Sequence, residues 1–210
     1  MTQIEGSGKK PPAPLSVKLT DGSLLQLLRE AKKRSEYRAY SARPDQWGQG
    51  LTGGTVIPNV GTIDEQTLPI LTGMVGEYIV CHLLNRRTGV DAKVDFENRS
   101  GGDGGKDIVA NGLRIDVKTR RKKDGRLDTF LVRHATEYGR QVPLLADAYV
   151  FAEWNRGHVV DLHGYATRDD VEASQIAPAR RGNHTNYEIQ PADLRPMSRL
   201  FDEIRSREWR

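Results

Sequence analysis

The sequence predicts an α/β fold with a central mixed β-sheet flanked by helices. Three observations lead to this expectation. A largely apolar segment at residues 70–87 has the length of a buried helix. A tight hairpin signal, Asn111-Gly112, follows it between two runs of alternating apolar and polar residues. Two further β-rich segments, residues 148–154 and 158–163, are expected to complete the sheet.

The Asn111-Gly112 dipeptide predicts a type I′ turn, because that turn requires positive φ at both central residues. Counting pairs outward from the turn places Asp107 opposite Asp116. Side chains alternate between the two faces of a sheet, so the apolar residues of this hairpin should share one face. The other face is then expected to carry Asp107, Arg114, Asp116 and Lys118.

Two carboxylates directly opposite each other on paired strands destabilise the sheet unless a positive charge lies between them. A hard divalent cation would supply that charge, since Mg²⁺ commonly takes one or two protein carboxylates and keeps water at its other positions. Lys118, two residues after Asp116, adds an ammonium group on the same face. The pattern therefore favours a magnesium site at this hairpin.

These residues carry a family resemblance. Asp107, followed by Asp116-Val117-Lys118 and preceded by a helix with Gly76-Glu77, resembles the PD-(D/E)XK nuclease superfamily over roughly residues 70–165. Two departures are visible: Lys106 stands where the family motif has Pro, and the spacing between the two Asp residues is short. The resemblance implies a restriction-endonuclease-like fold and Mg²⁺-dependent phosphodiester hydrolysis leaving a 5′-phosphate, with Mn²⁺ expected to substitute.

The resemblance also implies the roles of four residues. Asp107 and Asp116 would hold Mg²⁺, which shields the phosphate and lowers the pKa of a bound water. Lys118 would orient that water and offset the charge that develops. Glu77 would lie next to the metal and complete its coordination or bind a second ion. The expected catalytic set is thus Glu77, Asp107, Asp116 and Lys118.

Clustered positive charge supports a nucleic-acid partner. The formal net charge is only +4, but residues 114–126 contain seven basic and two acidic residues around the predicted site. Such clusters suit a phosphate backbone, although a solvated surface is the simpler interpretation of a charge run alone. DNA is the expected partner, with RNA and a homodimer left open. The expected contacts are Lys106, Arg114, Arg120, Arg121, Lys122 and Lys123.

Two other classes of function remain open at this point. The fold could serve as a non-catalytic nucleic-acid-binding module, or the carboxylates and the lysine could form a purely structural cluster. The five histidines are scattered, and no nucleophile elbow or dinucleotide fingerprint is present. Endonuclease activity is favoured over exonuclease activity, but the motif itself does not specify the form of the substrate.

Composition excludes several classes of protein. The single cysteine, Cys81, excludes an intrachain disulfide and a cysteine-based zinc site. No run is expected to reach the ~18 apolar residues of a membrane span, and the Pro-rich N-terminus lacks the apolar region of a signal peptide. A cytoplasmic location is therefore expected.

Four segments are expected along the chain. Residues 1–14 would form a disordered tail, and residues 15–61 an N-terminal helix and loop extension. Residues 62–175 would form the nuclease core, and residues 176–210 a C-terminal element packed on that core. Helices are expected at residues 23–37, 70–87, 134–146 and 191–209, with a further one beginning near 167–170. A capping box at residues 62–65 would begin the second helical region, and strands are expected at residues 91–98 and 129–133.

Overall fold

The computed structural model describes residues 10–41, 54–57, 60–94, 107–121, 129–136, 138–155, 157–179 and 183–206. Three of the predicted nucleic-acid contacts, Lys106, Lys122 and Lys123, lie outside these ranges. So does most of the predicted tail of residues 1–14.

Eleven strands and four α-helices occur in the described ranges. The N-terminal half contains β1 (Leu15–Lys18), α1 (Asp21–Ser41), β2 (Gly54–Ile57), β3 (Gly61–Asp64), α2 (Thr67–Thr88), β4 (Lys93–Val94) and β5 (Ile108–Ala110). The rest contains β6 (Leu113–Arg121), β7 (Phe130–Ala135), β8 (Ala148–Trp154), β9 (Val159–Thr167), α3 (Arg168–Glu172), β10 (Gln175–Pro178), β11 (Thr185–Ile189), a 3-10 turn (Pro191–Asp193) and α4 (Met197–Ser206).

The predicted mixed α/β class is confirmed. A central six-stranded sheet has the order β1-β9-β8-β6-β5-β4, with β6 and β8 parallel and the other neighbours antiparallel. A second, antiparallel sheet has the order β10-β11-β7, and β2 pairs with β3. Because β1 pairs with β9, the N-terminal segment contributes an edge strand to the central sheet.

The β5–β6 hairpin forms as predicted. Asn111 and Gly112 have φ values of 52° and 85°, as a type I′ turn requires. Ile108 pairs with Ile115, and Ala110 pairs with Leu113. The predicted register is therefore correct over the three pairs of the ladder.

Helix α2 lies at the centre of the fold, and most of its residues are buried. It ends as predicted at Gly89, whose φ of 73° allows its N–H to reach the carbonyl of Asn85. Its start differs from the predicted capping box, because residues 61–64 form β3. The carboxylate of Asp64 instead accepts hydrogen bonds from the N–H groups of Gln66 and Thr67. Pro69 falls in the first turn, where its missing N–H is not needed.

Helix α2 also has the length and apolar composition of a membrane-spanning helix, contrary to the expectation that no segment would. The mean hydropathy of its most apolar stretch is 1.4, and 67% of that stretch is buried inside the protein. The core helix of a soluble protein meets the same criterion.

Two apolar cores lie on opposite sides of the central sheet. The larger one joins α1, α2 and α4 to the face that carries Ile115 and Val117. The smaller one lies between the opposite face, with Tyr149 and Phe151, and the second sheet, with Phe130. Among the described residues, each face of the central sheet therefore packs against an apolar core.

Three predicted elements are wrong. The helix predicted at residues 191–209 is interrupted in its described part, because Pro191–Asp193 is a 3-10 turn, Arg195 forms a bridge with Tyr165, and α4 begins only at Met197. Residues 134–146 contain no helix in their described part; β7 instead continues into a turn, and Ala135 forms a bridge with Gln141. Part of the predicted loop at residues 41–61 is the β2–β3 hairpin. The helix expected after Thr167 is confirmed, since Thr167 and Asp170 form a capping box at α3.

Candidate functional site

Asp107 is anchored to strand β6 through both its backbone and its side chain. Its N–H donates to the carbonyl of Ile115 at 2.9 Å, and its Oδ2 accepts from the N–H of Val117 at 2.6 Å. The carboxylate thus occupies a ladder position that a backbone carbonyl would otherwise take. This is a different arrangement from the direct pairing of Asp107 with Asp116 that strict alternation predicted.

The anchoring still brings the two acidic residues together at the same end of the hairpin. Val117 N belongs to the peptide bond that follows Asp116, so the Asp107 carboxylate lies beside the Asp116 backbone. Asp107 is half-buried, whereas Asp116 is only 7% exposed. An oxygen held by a 2.6 Å hydrogen bond to the backbone has a fixed position, which suits a ligand for a small cation.

Asp116 and Lys118 form an ion pair along the same strand, as their shared face predicted. Lys118 Nζ lies 2.7 Å from Asp116 Oδ2, and the lysine side chain is 39% exposed. Tyr149 is the β8 neighbour of Asp116 in the parallel ladder. Burial raises the pKa of Tyr149 to about 12, and the negative charge of Asp116 adds to this effect.

Glu77 is carried by α2, which packs on β6 at an unusually close contact. A Cβ at Gly76 would lie 1.8 Å from Thr119 Oγ1, so only glycine fits there. Thr119 directly follows Lys118, and Glu77 directly follows Gly76. Gly76 therefore allows α2 to approach a side chain of β6 closely. This contact sets the distance between the helix that carries Glu77 and the strand that carries Lys118.

The carboxylates do not form a preassembled three-ligand cluster. Within the described ranges, no group of three or more His, Cys, Asp or Glu side chains is placed to hold a metal ion. The structure thus places the Asp107 carboxylate beside the backbone of Asp116, whereas Glu77 lies on α2, which packs on the face of the sheet opposite to the one to which Asp116 points. Two oxygen donors of this type still fit Mg²⁺, which usually completes its coordination with water.

Two of the predicted nucleic-acid contacts form internal ion pairs. Arg114 donates from Nε and Nη2 to both carboxylate oxygens of Asp147, and Arg168 donates to the same carboxylate at 2.7 Å. Arg120 pairs with Glu153 at 2.9 Å. These guanidinium groups support the fold.

Arg121, in contrast, is exposed at the end of β6. Arg114 and Arg120 are held in ion pairs, whereas the structure shows no ion pair for Arg121 among the described residues. It therefore remains a candidate for contact with a phosphate backbone.

A buried polar network that the sequence did not reveal lies two residues beyond Lys118. The Arg120 guanidinium stacks over the Phe130 ring at 4.7 Å and donates to the carbonyl of Thr129. On its other side, Glu153 Oε2 lies 3.3 Å from His163 Nε2, although the two are not aligned as a hydrogen bond. Burial lowers the pKa of His163, so the imidazole is favoured as the neutral form.

The Asp147 ion pairs give a pH-dependent prediction. The hydrogen bond from Arg114 is the main cause that holds the pKa of Asp147 below its usual value. The charged Asp147 carboxylate therefore stabilises the folded protein fully above the unfolded-state pKa of about 4, and this stabilisation is lost as the pH falls through the folded-state pKa of Asp147. Asp147→Asn should destabilise the protein by about 1–3 kcal/mol at pH 7.

Urea unfolding of the wild type and Asp147→Asn at several pH values between 7 and 3 measures this effect. The difference in unfolding free energy should shrink as the pH falls below about 4. A difference that stays constant over this range would show that the Asp147 charge does not contribute. Asp202→Asn is a suitable control, because Asp202 pairs only with Arg205 in the described region and is mostly exposed.

Comparison with known proteins gives no match: no protein-family model matches the chain, and neither a curated protein nor a solved structure matches it significantly. A functional assignment must therefore come from the geometry of this chain and from its motif residues.

Proposed function

We propose that this protein is a metal-dependent nuclease that hydrolyses phosphodiester bonds in DNA, with endonuclease activity favoured over exonuclease activity. The observation that carries the proposal is the hydrogen bond from Val117 N–H to Asp107 Oδ2 beside the Asp116–Lys118 ion pair. It holds the Asp107 carboxylate beside the backbone of the strand that carries the Asp116–Lys118 pair. These are the groups that the resemblance to PD-(D/E)XK nucleases assigns to the active site.

The donor set suits a hard divalent cation. Asp107 and Asp116 would hold Mg²⁺ or Mn²⁺ through carboxylate oxygens, and Glu77 would contribute only through water, because α2 packs on the other face of β6. When bound, the cation would supply charge neutralisation at the phosphate and a more acidic water.

The residues of the chain have separate tasks in this proposal. Asp107 is fixed by its backbone hydrogen bond, so its oxygen is held in place before any ligand binds. Lys118 is partly exposed and can turn from Asp116 to a substrate phosphate or to the attacking water. Its ammonium group would orient that water and offset the negative charge that develops on the phosphate.

The arrangement of elements supports the finer assignment of a restriction-endonuclease-like fold. Helix α2 covers one face of a mixed sheet in which the antiparallel strands β4, β5 and β6 are followed by β8, parallel to β6. The motif residues lie on α2, at the start of β5 and on β6. This is the order in which the family resemblance places them.

Incubation of the purified protein with circular, linear, single-stranded and branched DNA tests the proposal. With Mg²⁺ or Mn²⁺ we expect cleavage of at least one form, leaving 5′-phosphate ends, and with a chelator we expect none. Cleavage that is equally fast with the chelator would contradict the proposal, and so would the absence of cleavage of every DNA form and of RNA.

A non-catalytic nucleic-acid-binding module is the alternative. The closed Asp116–Lys118 ion pair is compatible with a non-catalytic protein, because two opposite charges in direct contact can have a purely structural role. Binding of DNA that is unaffected by chelator, without cleavage of any form, would support this alternative over the nuclease.

A further inference from the structure

A cavity of about 400 Å³ lies beside β7, away from the proposed catalytic residues. Its aromatic wall consists of His134 and Tyr187, and Leu144 contributes an apolar wall. Gln141 and Glu172 supply an amide and a carboxylate. Pockets for small ligands usually have volumes of about 300–1,000 Å³, so this one suits a compact molecule such as a single nucleobase.

The aromatic wall is held in a defined geometry. The rings of His134 and Tyr187 meet edge to face, with centroids 5.0 Å apart and an interplanar angle of 84°. His134 Nδ1 is 2.9 Å from Thr185 Oγ1, which fixes the imidazole. A flat heterocycle with hydrogen-bonding groups on its edge matches aromatic faces combined with an amide and a carboxylate.

An exposed tyrosine lies on the turn next to this cavity. Tyr138 is 89% exposed, the largest value among the exposed large apolar side chains of the described residues. Two hydrogen bonds between Thr136 and Arg140 close the turn. The Thr136 N–H donates to the Arg140 carbonyl at 2.9 Å, and the Arg140 N–H donates to Thr136 Oγ1 at 3.2 Å. The turn thus presents an aromatic ring to solvent on a hydrogen-bonded support, where a base can stack on it.

Positive charge accompanies the aromatic residues. Arg133 on β7 and Arg140 in the turn are both exposed. A phosphate backbone attracts such cations, while bases stack on neighbouring aromatic rings.

The cavity lies on the side of the central sheet to which Asp116 points. Leu144 and Tyr187 pack against the smaller core, which includes Tyr149. Tyr149 is the ladder neighbour of Asp116. A nucleic-acid strand bound at the cavity would therefore lie on the same side of the sheet as the Asp116 side chain.

We propose that the turn after β7 and the adjacent cavity bind unpaired nucleotides of a single-stranded nucleic acid. One base enters the cavity and a neighbouring base stacks on Tyr138. The base must be unpaired, because a base within a duplex is stacked and paired and cannot enter a pocket. This inference extends the proposed function by naming the form of the substrate, and its test does not require cleavage.

Fluorescence anisotropy with a labelled short single-stranded DNA of mixed sequence, in the presence of a chelator, tests the inference. An abasic strand of the same length and a duplex of the same sequence provide the comparisons. We expect the wild type to prefer the base-bearing single strand over both. Tyr138→Ala should weaken binding to it at least about five-fold, the effect of one lost base stack, while leaving the weaker affinity for the abasic strand unchanged.

Leu131→Ala is the matched control. Leu131, like Tyr138, is a large exposed side chain, but it lies on β7 and does not line the cavity. It should leave both affinities unchanged. Tyr187→Leu tests the cavity itself and should also reduce the preference for bases, with its thermal unfolding measured in parallel. Equal affinity of the wild type for the base-bearing and abasic strands, equal or tighter binding of the duplex, or equal effects of Tyr138→Ala and Leu131→Ala would overturn the inference.

The outcome is independent of the nuclease assay. If the protein cuts no nucleic acid but prefers base-bearing single strands through Tyr138, the nuclease proposal fails and the binding site stands. If it cuts DNA but Tyr138→Ala binds all probes like the wild type, the binding site fails and the nuclease proposal stands.

Discussion

Replacing Lys118 with Ala should lower the rate of metal-dependent DNA cleavage by at least about 100-fold, because the ammonium group both positions the water and offsets developing charge. The substitution also leaves the nearly buried Asp116 carboxylate without its 2.7 Å partner. Some loss of stability, of about 1–3 kcal/mol, is therefore expected. Single-turnover cleavage kinetics, together with urea unfolding, separate the two effects.

Lys93→Ala is the control for removing a lysine from an ion pair. Lys93 pairs with Asp91 at 2.9 Å, but both side chains are almost fully exposed, so we expect little change in stability or cleavage. Lys118→Met keeps most of the aliphatic stem and should still abolish turnover. A folded Lys118→Met protein that cuts DNA at the wild-type rate would contradict the assignment.

Replacing Gly76 with Ala should destabilise the protein and reduce cleavage together. The new Cβ would lie 1.8 Å from Thr119 Oγ1 and 3.0 Å from Thr119 Cβ, so α2 and β6 must separate or Thr119 must rotate. Overpacking of this kind costs about 1–3 kcal/mol, partly offset by the ~1 kcal/mol that Ala gains over Gly within a helix. Separation would also move Glu77 away from β6.

Gly73→Ala is the matched control on the same helix. Its nearest contact would be Glu77 Oε1 at 3.6 Å, an ordinary van der Waals distance, so the helix preference of Ala should leave stability unchanged or raised. Adding Thr119→Ala to Gly76→Ala removes the closest atom and should restore part of both stability and cleavage. Equal stability of Gly76→Ala and Gly73→Ala, measured by thermal unfolding, would rule out this packing account.

The parts of the fold that depend on neighbouring residues were predictable from the sequence. Asn111-Gly112 fixes the turn through the φ values that those two residues tolerate, and the turn fixes the register. Gly89 marks the end of α2 for the same conformational reason. The capping box of α3 was also readable, because its two partners are three residues apart.

The missed elements depend on distant partners. Strand β7 is present where residues 129–133 predict it, but it continues to Ala135, which pairs with Thr185 of β11 fifty residues later, and a turn follows where a helix is expected. Residues 134–146 mix apolar and polar residues without a clear period, so the local sequence does not decide between a helix and a strand followed by a turn. The β2–β3 hairpin was missed because residues 62–65 fit a capping box, whereas Asp64 ends β3 and its carboxylate accepts a hydrogen bond from the N–H of Thr67 at the start of α2.

The candidate site shows the same limit. The shared face of Asp116 and Lys118 follows from strand alternation, so their ion pair could be predicted. Arg114 and Arg120 have carboxylate partners 33 residues away, which a sequence without known contacts does not reveal. The hydrogen bond from Val117 to Asp107 was equally hidden, because alternation predicts the face of a side chain but not its rotamer.

The nuclease proposal depends most on Asp107 and Asp116 sharing one divalent ion. Mn²⁺ binding in the absence of DNA measures this directly. The binding is monitored through the decrease in the electron paramagnetic resonance signal of free Mn²⁺. We expect the wild type to bind Mn²⁺, and Asp107→Asn and Asp116→Asn each to weaken that binding at least about ten-fold, with Asp91→Asn unchanged. Mn²⁺ binding that survives both substitutions, or no binding by the wild type, would contradict the shared site.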